Sequence, residues 1–287
     1  MIKVLSGKEI SNDMITKIHE SVLHDLEQFG RAPVLCVVTS GSDAGSQSYL
    51  KGIRKKSEQA GISFRLHHVS EESTEEEVTA LIRKINDDPE IDGVLVMKPV
   101  GQNIDQEKLV AVLDPGKDVE GLTIQNQADL FLGKKTTLPC TAESVMCFFE
   151  HYNIPLEGKR AVVLGRSNRV GKPAAMLLMQ RNATVTICHS RTKDMKEIVQ
   201  QADVLVCAMG QAAMIDHSWL KDGMVVVDAG VGRKEDGTMS GDLDWQDIQE
   251  MEIQATPVPG GVGALTTAVL LRNVYRLYRR HYGLWAE

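Results

Sequence analysis

No stretch of this 287-residue sequence is apolar for long enough to cross a bilayer, and Met1 to Gly7 lack a long apolar core. Positive charge is in deficit: 32 Lys and Arg face 39 Asp and Glu. The net charge of −7 argues against a nucleic acid or an anionic membrane as partner. Cysteine is scarce, five residues at spacings that suit neither a disulfide framework nor a zinc site, as in a reducing compartment. His19, His24, His67, His68 and His151 stand without metal-ligand spacing, so no metal is expected. Internal repeats and low-complexity tracts are missing too. A soluble cytoplasmic protein is expected, long enough for two domains, with 43% apolar residues to fill ordinary cores.

The most informative stretch runs from Arg160 to Pro173. A short apolar run ends at Gly165, small residues follow, and helical spacing begins near Lys172, with Ala174, Ala175, Leu177 and Leu178 on one face. That is a strand, a tight turn and a helix. The helix's first N–H groups and its dipole suit a phosphate at such a turn. The dinucleotide fingerprint G-x-G-x-x-G reads here Gly165-x-Ser167-x-x-Val170-Gly171, with a serine in place of the second glycine. A second apolar run, Ala183 to Cys188, ends in His189-Ser190-Arg191-Thr192, where such a unit meets the adenosine ribose. NAD-preferring sites carry Asp or Glu there. Ser190 and Arg191, with Arg166 on the first turn, suit a 2′-phosphate instead, because guanidinium grips phosphate in a bidentate fork. NADP is the cofactor this favours, although Arg191 also reads as a solvated loop residue. His189 belongs to the adenosine pocket wall.

Ser6 and Glu9 form a capping box before a helix with Ile10, Met14, Ile15, Ile18, Val22 and Leu26 at helical spacing. A strand at Val34 to Val38, a helix carrying Tyr49 and a strand around Phe64 to Leu66 follow. A second capping box, Ser73 to Glu76, introduces a helix with Val78, Leu81, Ile82 and Ile85 inward, and Asp92-Gly93 precedes the strand Val94 to Val96. Strands alternating with helices imply a parallel sheet covered on both faces. A short helix near Glu107 to Leu113, a polar loop from Asp114 to Thr123 and a helix from Thr141 to Tyr152 lead to the dinucleotide unit. Further strands fall at Val204 to Cys207 and Met224 to Asp228. The last helix, from about Leu265 through Tyr278, can fold back onto the first domain.

Gly165-Arg166-Ser167 with Val170-Gly171-x-Pro173, Cys188 to Thr192, Lys117-Asp118-Val119-x-Gly121, Leu138 to Thr141 and Thr256 to Gly263 stand in family order. On these motifs the chain resembles the methylenetetrahydrofolate dehydrogenase/cyclohydrolase family over nearly its whole length. The resemblance implies an α/β protein of two domains: an N-terminal α/β catalytic domain (1–142 plus 267–287) and a Rossmann-like NADP-binding domain (143–266), with the C-terminal helix returning to the first. It also implies a homodimer, with a reduced folate on the first domain and NADP on the second. The implied reaction is hydride transfer from 5,10-methylenetetrahydrofolate, usually followed by hydrolysis of the methenyl product to 10-formyltetrahydrofolate.

Against the family pattern, the position four residues after Tyr49 is Ile53 rather than lysine. The strand end reads Met97-Lys98-Pro99-Val100-Gly101 rather than Gln-Leu-Pro-Leu-Pro, and the loop motif ends in Glu120 rather than Asp. Isoleucine cannot shuttle a proton, and a thioether is a weak acceptor where an amide gave donors and an acceptor. The lysine with its glutamine is the family's cyclohydrolase machinery, so that activity is in doubt, whereas hydride transfer does not need the lysine in the same way. Lys56, two turns beyond Tyr49, and Lys98, beside the lost glutamine, are candidate replacements; both also read as solvated surface lysines.

Tyr49, Ile53, Met97 and Glu120 are therefore expected at the pterin, with Tyr49, Lys56, Lys98 and Glu120 as candidate catalytic groups. Tyr49 can otherwise be a core tyrosine and Glu120 a plain surface acid, while Lys117 and Asp118 can be loop-ordering residues. Pro259, Gly260 and Gly261 combine fixed φ with close backbone approach and, with Thr266, are expected to line folate or nicotinamide. Gly230 and Val231 follow the strand end Asp228-Ala229 and are expected beside the nicotinamide unless this is an ordinary strand end. A noncatalytic folate or nucleotide binder is the reading from a different class.

Overall fold

Short runs of Val, Ile, Leu and Ala, apolar on both faces, become the inner strands of two parallel sheets in a computed structural model that describes residues 1–101 and 104–284. In chain order the elements are β1 (Lys3–Val4), α1 (Gly7–Phe29), β2 (Val34–Thr39), α2 (Ala44–Gln59), β3 (Ser63–His68), α3 (Glu75–Asp87) and β4 (Gly93–Val96). Next come α4 (Gln106–Val112), α5 (Ile124–Phe131), α6 (Cys140–His151), β5 (Arg160–Leu164), α7 (Gly171–Gln180), β6 (Thr184–Cys188), α8 (Met195–Gln200) and β7 (Val204–Cys207). The chain ends with β8 (Val225–Asp228), β9 (Gly232–Arg233), β10 (Met239–Ser240), β11 (Gln254–Ala255) and α9 (Val262–His281).

Two compact units result. One comprises Asn12–Asp129 and the chain from Thr267 on, the other Met1–Ser11 and Leu130–Thr266. The division expected from sequence differs at two places. Residues 1–11 join the second unit because β1 pairs in parallel with β11, Lys3 N–H donating to Ile253 O (2.8 Å) and Leu5 N–H to Ala255 O (2.8 Å). Residues 130–142 go the same way, Gln180 Nε2 donating to Leu130 O at 2.8 Å.

The first unit is built on a three-stranded sheet, β3-β2-β4, all parallel, with Leu35 opposite Phe64 and Gly93. Every residue of β2 and β4 is buried. Val78, Ile82 and Ile85 of α3 cover this sheet together with Leu109 and Leu113. Helix α3 starts one residue later than the sequence spacing implied. Thr74, not Ser73, is its cap: Thr74 Oγ1 accepts from Glu77 N–H (3.2 Å) and Glu77 Oε2 from Thr74 N–H (3.0 Å). Helix α9 completes the unit, Asn273 Nδ2 donating to Val119 O (3.0 Å), Tyr275 Oη to Asp25 Oδ2 (2.8 Å) and Tyr278 Oη to Arg31 O (2.9 Å).

The second unit holds a six-stranded parallel sheet in the order β1-β11-β8-β7-β5-β6. The chain leaves β5 for β6 on one side, then crosses to β7 on the other, so the strand order reverses at β5. In doubly wound sheets that reversal opens a crevice at the carboxyl ends of the strands, where ligands bind. Val162, Leu164, Leu205, Cys207, Val226 and Ile215 form the core beneath it. No helix of the described residues is long and apolar enough to cross a membrane.

Candidate active site

In the first unit, the turns following β2 and β4 are tied together by hydrogen bonds. Ser40 N–H donates to Pro99 O (2.9 Å), Thr39 Oγ1 to the same oxygen (3.2 Å), and Gly101 N–H to Ser40 Oγ (2.8 Å). Gln47 Nε2 reaches back to Gly41 O at 2.7 Å. A Cβ at Gly41 would lie 2.7 Å from Ser46 Cβ, so only glycine lets this turn close. Asp43 caps α2, accepting from Gly45 and Ser46 N–H at 2.9 and 3.0 Å. This stitching fixes where α2 begins and therefore where Tyr49 sits.

Tyr49 is 45% exposed, whereas Ile53, one turn on, is fully buried. Met97 is buried at the end of β4, and Lys98 beside it is exposed. A cavity of about 400 Å³ opens at Lys98, with Val100, Ile104 and Leu109 in its wall. Lys56 is half-buried, and that burial lowers its ammonium's pKa from the ordinary lysine value. Lys117 and Asp118 are both buried and both order the loop. Lys117 Nζ donates to Ile85 O (2.9 Å) and Asp88 O (2.6 Å), while Asp118 accepts from Glu120 N–H, Thr123 N–H and Asn126 Nδ2 at 3.1, 2.7 and 2.9 Å. Glu120, half-buried, is carried on that braced loop. Asn126 went unnoticed in the sequence because it lies on α5, a helix of eight residues whose pattern is too short to read.

In the second unit the turn after β5 is built on two glycines. Gly165 has φ +120°, and a Cβ there would stand 2.4 Å from Ala208 O, the residue after β7. A Cβ at Gly171 would stand 2.2 Å from Gly165 O. Only glycine fits where the backbone crosses this closely, and the resulting turn at the start of α7 is the cradle that a phosphate would meet. Ser167 Oγ accepts from Val170 N–H (3.1 Å) and Ser167 O from Lys172 N–H (3.1 Å), so the serine shapes the turn from within. Val170, half-buried, is the last residue before α7, and no side chain caps that helix. Arg166 and Ser167 are exposed at this turn, as are Ser190 and Arg191 after β6. The β6 turn is closed by His189: its N–H donates to Thr192 Oγ1 (2.9 Å) and its Nδ1 accepts from Arg191 N–H (3.1 Å). The second unit thus sets small residues at the turn and exposed guanidinium groups at the ends of β5 and β6, a combination that suits a phosphate-bearing ligand.

The Pro257-to-Gly263 segment packs against the start of α1. Gly7 N–H donates to Gly260 O (2.9 Å), and a Cβ at Gly7 would fall 2.1 Å from Gly261 O. Gly260 has φ +110°, Pro259 is exposed, and Thr266 Oγ1 donates to Gly263 O at 3.2 Å in the first turn of α9. Gly230 is buried and Val231 is 59% exposed just beyond β8. Two acids near them are also buried, Asp228 and Asp242; nothing in its local pattern marks Asp242 in the sequence.

A doubly wound sheet with a glycine-built phosphate turn, joined to a separate α/β unit, defines a two-domain nucleotide-dependent enzyme. Residues 5–120 match the catalytic domain of the tetrahydrofolate dehydrogenase/cyclohydrolase family, and residues 139–282 match its NAD(P)-binding domain. The chain is 44% identical over 280 residues to the bifunctional protein FolD of Lactobacillus helveticus, covering 98% of this chain and 99% of that one. Its fold is similar to the FolD methylenetetrahydrofolate dehydrogenase/cyclohydrolase of Campylobacter jejuni (TM-score 0.94, 35% identity, 98% and 100% of the two chains). It is also similar to Trypanosoma brucei methylenetetrahydrofolate dehydrogenase-cyclohydrolase, solved with NADP and an inhibitor (TM-score 0.92, 29% identity, 99% of each chain). The chain belongs to the tetrahydrofolate dehydrogenase/cyclohydrolase family of enzymes.

Proposed function

We propose that this enzyme oxidises 5,10-methylenetetrahydrofolate to the methenyl form with NADP, and that its hydrolysis of the methenyl product is weakened. The observation that carries the second half is Ile53: fully buried hydrocarbon where the family pattern has lysine. Bound NADP supplies the hydride acceptor. The Gly165 cradle supports the fit of its pyrophosphate, and Arg166, Ser190 and Arg191 would hold the 2′-phosphate.

Hydride transfer asks the chain chiefly for alignment, since the folate nitrogen supplies the electron push and the cofactor carries the chemistry. Tyr49 offers a ring face and a hydroxyl to the pterin. Glu120 offers acceptor oxygens to the pterin's N3–H and 2-amino edge. Pro259, Gly260, Gly261 and Thr266 would present backbone and a small hydroxyl to a flat ring. Ring opening of the methenyl product differs, because water must be deprotonated and a ring nitrogen protonated. Neither Ile53 nor Met97 can do either. Losing a positioned acid/base costs about 10²- to 10⁴-fold in rate.

One observation favours a second reading in which both activities persist. Lys56 lies three residues beyond Ile53, and its partial burial lowers its pKa from the ordinary lysine value, which favours release of a proton. The test follows NADPH formation from 5,10-methylenetetrahydrofolate and, separately, disappearance of methenyltetrahydrofolate. Oxidation with slow hydrolysis is expected. Absence of oxidation with either NADP or NAD would sink the proposal, and hydrolysis as fast as oxidation would favour the second reading. The proposal includes a cytoplasmic homodimer. Five free thiols support the compartment, and the edge position of β6, with Met179 and Ile187 exposed beside it, supports a second copy.

A further inference from the structure

The loops after β7 and β8 lie on the opposite side of β5 from β6. If the adenosine 2′-phosphate sits at the end of β6, the nicotinamide half of the cofactor falls to these two loops. They are held by two carboxylates that take no part in the chemistry described above. Asp242, fully buried, accepts from Met209 N–H through Oδ2 and from Gln211 N–H through Oδ1, both at 2.7 Å. Asp228, 1% exposed, accepts from Gly230 N–H through Oδ1 and from Leu243 N–H through Oδ2, both at 2.9 Å. The two interlock through glycines. A Cβ at Gly230 would lie 2.2 Å from Asp242 Oδ1, and a Cβ at Gly241 would lie 2.1 Å from Asp228 Oδ2.

Burying two acids this close is costly. Burial pushes the Asp228 carboxyl up to about 7, with Asp242 adding to the effect, and burial raises Asp242 as well. The thiol of Cys207, the last residue of β7, is raised by its own burial and by both acids. A sheet that needed only stability could close these loops with neutral turns, so the expense points to a geometric demand at the loops themselves.

We propose that Asp228 and Asp242 are positioning residues for the nicotinamide half of the cofactor: Asp242 sets the backbone of residues 209–211, Asp228 sets that of 230 and 243, and together they fix the wall against which the ring is aligned for hydride transfer. The inference rests on the NADP reading above and adds to it which buried groups govern which half of the cofactor.

The discriminating ligand is 2′,5′-ADP, which carries the adenosine and 2′-phosphate but no nicotinamide. Binding of NADP and of 2′,5′-ADP is measured by titration calorimetry on the full-length wild type, Asp242→Asn and Gly241→Ala, with thermal melts confirming folded protein. Asn puts an N–H₂ donor against backbone N–H donors. The expected result is NADP binding weakened about tenfold or more, the loss of one or two charge-assisted hydrogen bonds, with 2′,5′-ADP binding unchanged. At saturating NADP, kcat should fall while KM for the folate stays. Gly241→Ala, whose methyl displaces the Asp228 carboxylate without replacing either acid, should reproduce the split if Asp242→Asn does not fold. Unchanged NADP affinity, or equal losses for both ligands, would overturn the inference. Wild-type protein that binds neither ligand would defeat the NADP reading itself, and the inference with it.

Discussion

Ile53 and Lys56 lie three residues apart on α2, one pure hydrocarbon and fully buried, the other a half-buried amine. If Lys56 carries the residual proton relay, Lys56→Ala should lower methenyltetrahydrofolate hydrolysis by about 10²-fold or more while sparing NADPH formation. If hydrolysis in the variant is unchanged, Lys56 is a packing residue and nothing more. Gly165→Ala tests the other half of the chemistry. Its methyl would meet Ala208 O at 2.4 Å on a backbone with φ +120°, so the turn must open. The expected outcome is NADP affinity reduced beyond detection by calorimetry; retained binding would show that the cradle tolerates a side chain and is not the pyrophosphate site. Both glycines of this turn were legible in the sequence because their spacing encodes backbone geometry. Asp242 was not, since a lone acid among loop residues gains its meaning only from the N–H groups that folding brings to it.

At the scale of elements, legibility followed length. Helices with three or more apolar repeats, α1, α3 and α9, were readable within a few residues, because burial of one face imposes their period. The two-residue strands β1, β9, β10 and β11 carry no period at all and exist through pairing alone. The cap of α3 moved by one residue because Ser73-Thr74-Glu75-Glu76-Glu77 offers two overlapping boxes, and only packing of Val78, Ile82 and Ile85 chooses between them.

One inter-element tie makes a pH prediction. Asp92, with a fully buried side chain, opens β4. It accepts from Arg31 Nη1 (2.7 Å) and Nη2 (2.8 Å) just beyond α1 and from Val34 N–H (2.8 Å), and it pairs with His281 Nδ1 (2.9 Å) at the end of α9. Burial alone would raise its pKa, but the hydrogen bonds from Arg31, His281 and Val34 outweigh it and hold the carboxyl below its ordinary value. A depressed acid stabilises the fold fully above its unfolded pKa, and the contribution is lost as pH falls through the folded one. Denaturant midpoints should therefore fall as pH drops below about 4, and Asp92→Asn should flatten that part of the profile. A profile of equal slope in the variant would place the acid sensitivity elsewhere. Arg31→Ala, leaving Asp92 with a weaker set of partners, should cost about 3 kcal/mol by the same denaturant measurement.

For the whole molecule, a net charge of −7 sets the problem of admitting a cofactor more negative than NAD by one phosphate. An acidic surface repels such a ligand at long range, so its selection must come from local cations placed where the phosphate lands. Arg166 and Arg191 are exposed cations at the two strand ends that flank the cradle. A ligand that binds only the folded state adds stability as the logarithm of one plus its concentration over its dissociation constant, about 2.7 kcal/mol at one hundred times that constant, and the melting temperature rises with it. Melting the protein with equal concentrations of NADP and NAD thus reads selectivity directly, without any substrate. NADP should give the larger shift in wild type. Arg166→Ala combined with Arg191→Ala should bring the NADP shift down to that of NAD while leaving the NAD shift in place, if backbone rather than these side chains holds the pyrophosphate. Equal shifts in wild type would refute NADP preference, and loss of both shifts in the double variant would mean that the arginines hold the pyrophosphate instead.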